Sequence, residues 1–203
     1  MAKVKHTYAC TECGASSPKW AGQCSDCGQW NCLTEIVIKS AVERFQNYAG
    51  SETTLVSLAA VEATQEVRIT TGVAELDRVL GGGLVAGSVI LIGGDPGIGK
   101  STLLLQSLSH LSSQHQVLYV TGEESVQQIK MRAQRLGLQA MAINLLTETS
   151  VETILTIAQQ AQPAFMVIDS IQTMYTAQIQ SAPGSVTQVR EATAQLVRFA
   201  KQT

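Results

Sequence analysis

The string Gly94-Asp95-Pro96-Gly97-Ile98-Gly99-Lys100-Ser101 constrains this chain more than any other stretch. It satisfies G-x-x-x-x-G-K-[ST], the pattern of a phosphate-binding P-loop. That loop needs a strand before it and a helix after it. Residues 88–93 (SVILIG) form a short apolar, β-branched run that reads as a buried strand. Residues 102–108 (TLLLQSL) read as the start of a buried helix. Gly94, Gly97 and Gly99 lack a Cβ, so the backbone there can take positive φ and approach an anion closely. Loop N–H groups then face a β-phosphate, and the helix dipole adds partial positive charge at the same point. Lys100 is placed to reach the β- and γ-phosphates, and the Ser101 hydroxyl to hold Mg²⁺. Thr102 stands where a side chain meets an α-phosphate. The expected ligand is a nucleoside triphosphate, cradled by Gly94, Asp95, Pro96, Gly97, Ile98, Gly99, Lys100, Ser101 and Thr102.

Around this loop the pattern alternates between strand and helix. Before it, 67–72 reads as a β-like opening segment. A short helix follows over 74–80, with Val73, Leu76, Val79 and Leu80 on one side. Gly81-Gly82-Gly83 ends that helix and reads as a turn required by packing, because no helix follows it as a second phosphate loop would need. After the loop, 116–121 reads as a strand ending at Gly122-Glu123-Glu124-Ser125. Ser125 with Gln128 makes a capping box, and the helix it opens runs to about Leu136 and stops at Gly137. A short strand over 142–146 comes next. Thr149 with Glu152 reads as a second capping box, opening a helix that Pro163 breaks. Residues 164–169 then form a buried strand ending in a carboxylate. This alternation predicts an α/β fold with a mostly parallel sheet.

Two strand ends carry acids. Asp169 fits the residue that holds Mg²⁺ through water, opposite Ser101. Glu123 is positioned to polarise an attacking water as general base. Glu124 is adjacent, and spacing alone does not exclude it. The plainer reading of Asp169 is an N-cap aspartate, and that of Glu123 or Glu124 an acid at a helix start, favoured by the dipole. Residues 174–185 form a long connection of the kind that carries function. A helix then begins at Ser185 or Thr187. Its apolar stripe is Val186, Val189, Ala192, Leu196 and Ala200, which turns Arg190, Arg198 and Lys201 elsewhere, by default to solvent.

The first 35 residues are a separate problem. Cys10-x-x-Cys13-Gly14 and Cys24-x-x-Cys27-Gly28 are two copies of one knuckle. Each lets two thiolates face one point, and the glycine permits the tight turn that aims N–H groups at sulfur. Four thiolates suit a closed tetrahedral Zn²⁺ site, structural and not catalytic, with Cys10, Cys13, Cys24 and Cys27 as ligands. Cys32 is left over and reads as a small apolar residue of the ribbon. Trp20 and Trp30 read as cover for its minimal core; the alternative, a partner or nucleic-acid contact, has Lys19 beside Trp20 in its favour. Residues 36–66 are mixed in composition and read as a linker or arm, including a possible strand over 53–58. The remainder, 67–203, is the α/β domain.

Net charge is −2 over 203 residues, so no global basic field exists and any nucleic-acid contact is local. No apolar run is long enough to span a membrane, and the first residues carry no apolar signal segment. The expected location is a reducing cytoplasm, where cysteines more often bind metal than form disulfides.

Taken together these residues resemble the bacterial RadA/Sms family of DNA-recombination ATPases, a branch of the RecA-like P-loop fold. The resemblance rests on the four-cysteine finger with Trp20-x-Gly22-x-Cys24 and Trp30-Asn31, and on Thr71-Gly72 with the run 75–83 (ELDRVLGGG). It also rests on 93–102 (GGDPGIGKST), on Gly122-Glu123-Glu124-Ser125, and on 169–173 (DSIQT) with 181–186 (SAPGSV). It implies a ring-forming, DNA-stimulated ATPase, hexameric at full length. That enzyme would bind single-stranded or branched DNA, work beside a RecA-type recombinase and drive helicase-like branch migration. Lys100, Glu123 and Asp169 would carry the ATP and Mg²⁺ chemistry, and the 174–185 connection would face DNA. The family continues past the point where this chain stops, which implies an N-terminal fragment whose own hydrolysis is in question. A competing reading is a nucleotide-gated zinc-ribbon adaptor that binds a protein partner and hydrolyses little.

Overall fold

A computed structural model of the chain describes residues 6–10, 16–17, 19–37, 57–60, 67–138, 142–179 and 181–203. The chain divides into two units, Met1–Asn47 and Tyr48–Thr203. Most of the expected linker, and Cys13, lie outside the described residues.

The first unit is a small antiparallel sheet. Strand β1 (His6–Cys10) lies between β2 (Ser16–Ser17) and β3 (Leu33–Val37). The β1–β3 register sets Tyr8 opposite Glu35 and Cys10 opposite Leu33. Its core consists of Cys10, Cys24, Cys32 and Leu33, with Tyr8 packed against them. The tryptophans are not part of it: Trp20 is 58% exposed and Trp30 69%. The correction has a simple cause. Sulfur fills the small interior, and Trp30 lies over the surface at Gly22, 3.8 Å from where a Cβ there would sit.

The second unit is built on a parallel sheet with strand order β5-β4-β6, where β4 is Val117–Thr121, β5 Ile143–Thr147 and β6 Phe165–Asp169. Among the described residues five α-helices accompany it: α1 (Ala74–Val79), α2 (Lys100–Leu111), α3 (Val126–Arg135), α4 (Val151–Ala161) and α5 (Val186–Gln202). Every residue of β4 is buried, as expected of a parallel strand covered on both faces. Its side chains divide by alternation. Leu118 and Val120 join Val151, Ile154 and Ala158 of α4 and Ala192 and Leu196 of α5. Val117 and Tyr119 join Leu105, Leu108 and Leu111 of α2 and Ile129 and Ala133 of α3. Two apolar clusters, one per face, make a helix–sheet–helix sandwich.

Several local expectations hold in detail. Ser125 and Gln128 form the reciprocal capping box at α3, and Gly137 follows that helix at φ +68°. The three glycines 81–83 all have positive φ, and a Cβ on Gly83 would lie 2.5 Å from the Ile69 carbonyl oxygen. That turn is required by packing, because Ile69 and Leu84 exchange backbone hydrogen bonds at 2.9 and 2.8 Å across it.

Others need correction. Residues 88–93 pair with no strand among the described residues, and Leu91 is 84% exposed, with Val89 and Ile90 exposed beside it. Apolar β-branched composition favours a strand conformation, but sheet membership needs a neighbour's N–H and C=O groups, which local sequence does not supply. Helix α4 is capped by Ser150, not Thr149. The Thr149 carbonyl is already taken by the Tyr175 N–H at 2.9 Å, so the helix begins one residue later. Val79 of α1 and Val186 of α5 are exposed. Helix α5 instead buries Gln188, Ala192, Gln195 and Leu196, and Arg198 is ion-paired with Glu191 at 3.5 Å, both side chains largely covered.

The two buried glutamines explain how the long connection is held. Gln188 Oε1 accepts the Thr176 N–H at 3.0 Å, and Gln188 Nε2 donates to the carbonyls of Thr176, Ile179 and Ser181 at 3.2, 3.1 and 2.9 Å. Gln195 Nε2 donates to Thr176 Oγ1 at 3.1 Å, and that hydroxyl donates to Glu152. A single helix side chain thus fixes the first half of the connection after β6. Gln188→Leu keeps the bulk but leaves these buried groups unsatisfied, at about 1–3 kcal/mol each. It is expected to lower the urea midpoint clearly and to expose 174–185 to limited proteolysis. An unchanged midpoint and cleavage rate would remove this role from Gln188.

Candidate functional site

The P-loop leads directly into α2. Gly99 is its N-cap residue, at φ +100° in the left-handed region, and no side chain caps the helix. Helices α3, α4 and α5 each begin on a serine whose hydroxyl accepts a backbone N–H. At α2 the first N–H groups have no such side-chain acceptor and remain donors for an anion. A Cβ on Gly97 or Gly99 would meet nothing within 4 Å. What demands glycine there is the backbone, at φ +83° and +100°, not crowding. Gly94 differs: a Cβ there would lie 2.3 Å from Ile98 Cδ1. The Lys100 ammonium donates to the carbonyls of Gly94 and Asp95 at 2.7 and 2.8 Å, so it sits over the loop's own backbone. Asp95, Pro96, Ser101 and Thr102 lie on the same loop and first helical turn, and Ile98 is exposed at the loop tip. Donor N–H groups, one ammonium and one hydroxyl at a helix start fit a phosphate chain with Mg²⁺.

The acids are placed by the sheet. Thr121 and Asp169 are register partners on β4 and β6, so both strands end at the same level. The Gly122 N–H donates to the Asp169 carbonyl at 3.2 Å, and Glu123 Oε1 accepts a hydrogen bond from Ser170 Oγ at 2.6 Å. Glu123 therefore reaches toward the tip of β6 from an exposed position. Glu124 does not: its carboxylate is ion-paired with Arg132 of α3 and half-buried. Its N–H donates to Thr121 Oγ1 at 3.0 Å, which holds it down.

One participant was not visible in the sequence. The Tyr119 hydroxyl donates to Asp169 Oδ2. Burial, and then the bond to this carboxylate, push the phenol far above its usual range, so it stays a donor at any physiological pH. Tyr119 sits two residues before Thr121 on an apolar strand, and only the β4–β6 pairing brings it to Asp169. No sequence signal marks it, nor Arg132.

In the ribbon, the Sγ atoms of Cys10, Cys24, Cys27 and Cys32 all lie within 4.8 Å of one another. Cys10 Sγ is 3.6 Å from Cys27 Sγ and 3.3 Å from Cys32 Sγ. With Zn–S near 2.3 Å, two ligands of a tetrahedral site lie about 3.8 Å apart, so these thiols fit the metal. Cys32, expected as a bystander, is 6% exposed and stands inside the cluster. Burial, with the hydrogen bond to Cys10, pushes its thiol up to about 11. Bound zinc would supply the folding free energy of this unit and hold its sulfurs as thiolates.

Fold and sites define a RecA-like α/β ATPase domain of the KaiC kind, preceded by a rubredoxin-like zinc ribbon. A family model described as KaiC matches residues 69–149, and one described as a rubredoxin metal binding domain matches residues 8–35. Over its whole length the chain is similar to curated proteins named DNA repair protein RadA: 60% identical to that of Pseudomonas aeruginosa, covering 100% of this chain and 45% of the relative. Identity is 54% to that of Escherichia coli and 50% to that of Bacillus subtilis, each covering 99% of this chain and 45% of the relative. The chain belongs to the RadA/Sms family, spanning somewhat less than half the length of the curated relatives it matches.

Removing metal with a strong chelator is expected to collapse the dispersed amide NMR signals of β1–β3, since metal supplies about 10–16 kcal/mol to such small units. The helical circular dichroism of the second unit should persist. Ribbon signals that survive complete zinc removal would contradict the metal's structural role.

Proposed function

We propose that this chain is the zinc-ribbon and nucleotide-binding part of a DNA repair ATPase. It binds ATP with Mg²⁺ and hydrolyses it, with DNA as the stimulus. Its ribbon is residues 1–35, its linker 36–66 and its ATPase domain 67–203, and it acts in the cytoplasm.

The observation that carries it is the shared level of two acids at adjacent parallel strand tips, Asp169 on β6 and Glu123 just past β4, with α2 packed on the same two strands. Lys100 and the backbone N–H groups of the loop at 97–102 bind and orient the β- and γ-phosphates. Ser101 and Asp169 would hold Mg²⁺, and the Tyr119 hydroxyl orients the Asp169 carboxylate. Glu123 takes the proton of the attacking water, and the Ser170 hydroxyl holds it in place. The ion pair of Glu124 with Arg132 favours Glu123 for that role. Mg²⁺, when bound, neutralises charge that develops on the phosphate oxygens.

In the full-length protein this hydrolysis would drive a ring, hexameric by family resemblance, along single-stranded or branched DNA beside a RecA-type recombinase, in helicase-like branch migration. Names of the relatives support DNA repair; the ring, the recombinase and the direction of movement are part of the proposal.

Lys100→Ala is expected to abolish nucleotide binding or turnover, measured by ATP-analogue fluorescence and phosphate release. Glu123→Gln should retain binding and lose turnover by about 10²–10⁴-fold, whereas Glu124→Gln should retain turnover. The rates, with and without single-stranded DNA, are to be compared between this chain and the full-length protein. Full turnover in Lys100→Ala, or equal losses from the two glutamate variants, would defeat the assignment.

A further inference from the structure

Two loops meet where the acids stand. One leaves β4 at Gly122 and Glu123. The other leaves β6 at Ser170, makes a single 3₁₀ turn over Ile171–Thr173 and opens the 174–185 connection. The two are packed closely. A Cβ on Gly122 would lie 2.9 Å from Thr173 Cβ, nearer still to Thr173 Oγ1, and 2.8 Å from Thr149 Cγ2. Gly122 does not have a positive φ, so crowding by Thr173 and Thr149, not backbone conformation, demands glycine there. Thr173 also grips the start of its own loop. Its hydroxyl donates to the Ser170 carbonyl at 2.9 Å, and its N–H donates to the same carbonyl at 3.1 Å. The Ser170 hydroxyl in turn donates to Glu123 Oε1 at 2.6 Å. Thr173 thus meets Glu123 by two routes: through Ser170 to the carboxylate, and through Gly122 to the backbone. The chain just beyond it is anchored. Met174 is fully buried. The Tyr175 N–H donates to the Thr149 carbonyl at 2.9 Å, and the Val151 N–H donates to the Tyr175 carbonyl at 3.0 Å.

We propose that Thr173 is a positioning residue for Glu123. By bonding the Ser170 carbonyl twice it fixes the residue whose hydroxyl aims the carboxylate. By filling the space beside Gly122 it sets the turn that carries Glu123. Its effect falls on turnover and not on nucleotide affinity, since it acts on the base and not on the phosphate loop. A shift of the first residues of the connection then reaches Glu123 without passing through the P-loop. The proposal rests on the reading of Glu123 as general base.

Two measurements test it. In this chain without nucleotide, the ¹³C carboxylate signal of Glu123 is assigned by its absence from Glu123→Gln. It is expected to move in Thr173→Ala toward its position in Ser170→Ala, and to stay in place in Thr173→Ser. In the full-length protein, Thr173→Ala is expected to lower ATP turnover by about 10–10²-fold, with affinity for an ATP analogue unchanged within about twofold. Thr173→Ser should keep turnover. Combined with Glu123→Gln, Thr173→Ala should cost little more than Glu123→Gln alone, because both act on one group. Thr173→Val keeps the bulk without the hydroxyl and takes the place of Thr173→Ala if that variant does not fold. Normal turnover in the hydroxyl-free variant, a matching loss of analogue affinity, a loss that adds in full to that of Glu123→Gln, or an unmoved Glu123 signal overturns the proposal. Failure of the base reading looks different: Glu123→Gln itself would then turn over normally, and the proposal falls with it.

Discussion

Strand β4 is hydrogen-bonded on both edges and covered on both faces, and the second unit follows from that double constraint. Because the partners β5 and β6 run parallel to it, their carboxyl ends lie at one edge of the sheet. Because every side chain of β4 is buried, alternate residues commit to opposite apolar clusters and recruit helices to both sides. The acids inherit their placement from this ladder. Asp169 is level with Thr121 by register, and Glu123 follows two residues on. A one-residue slip would send Tyr119 to the other face and separate it from Asp169.

The connection beyond β6 illustrates a different principle. A loop with buried backbone needs every N–H and C=O accounted for. Here the accounting is done by Gln188 and Gln195 of α5 with Thr176 and Glu152. Apolar periodicity cannot show such a network, because the residues that are buried are amides. Helix α5 therefore presents a half-polar inner face, and one valine of the expected apolar stripe, Val186, ends up in solvent.

The ribbon solves a size problem. A unit this small cannot bury enough apolar surface to fold alone. Thiols replace a hydrocarbon core, and both tryptophans, its largest side chains, remain outside. Metal binding and folding would then be one event, and Cys32 belongs to the interior with Cys10, Cys24 and Leu33.

Much of this was legible from residues alone. The P-loop, the second knuckle, the α3 capping box, the Pro163 break and the glycine turn at 81–83 are local devices whose chemistry is carried by contiguous residues, so sequence determined them, and with them the α/β class. What only the tertiary structure decided involves groups far apart in the chain. Pairing of β4 with β6 selected Glu123 over Glu124 as the acid facing the strand tip and brought Tyr119 to Asp169. The β1–β3 register carried Cys32 into the sulfur cluster. The run at 88–93 shows the converse, since its composition speaks of a strand while its exposure depends on neighbours. Local propensity is a property of a segment, whereas pairing, burial and the company a side chain keeps are properties of the whole fold.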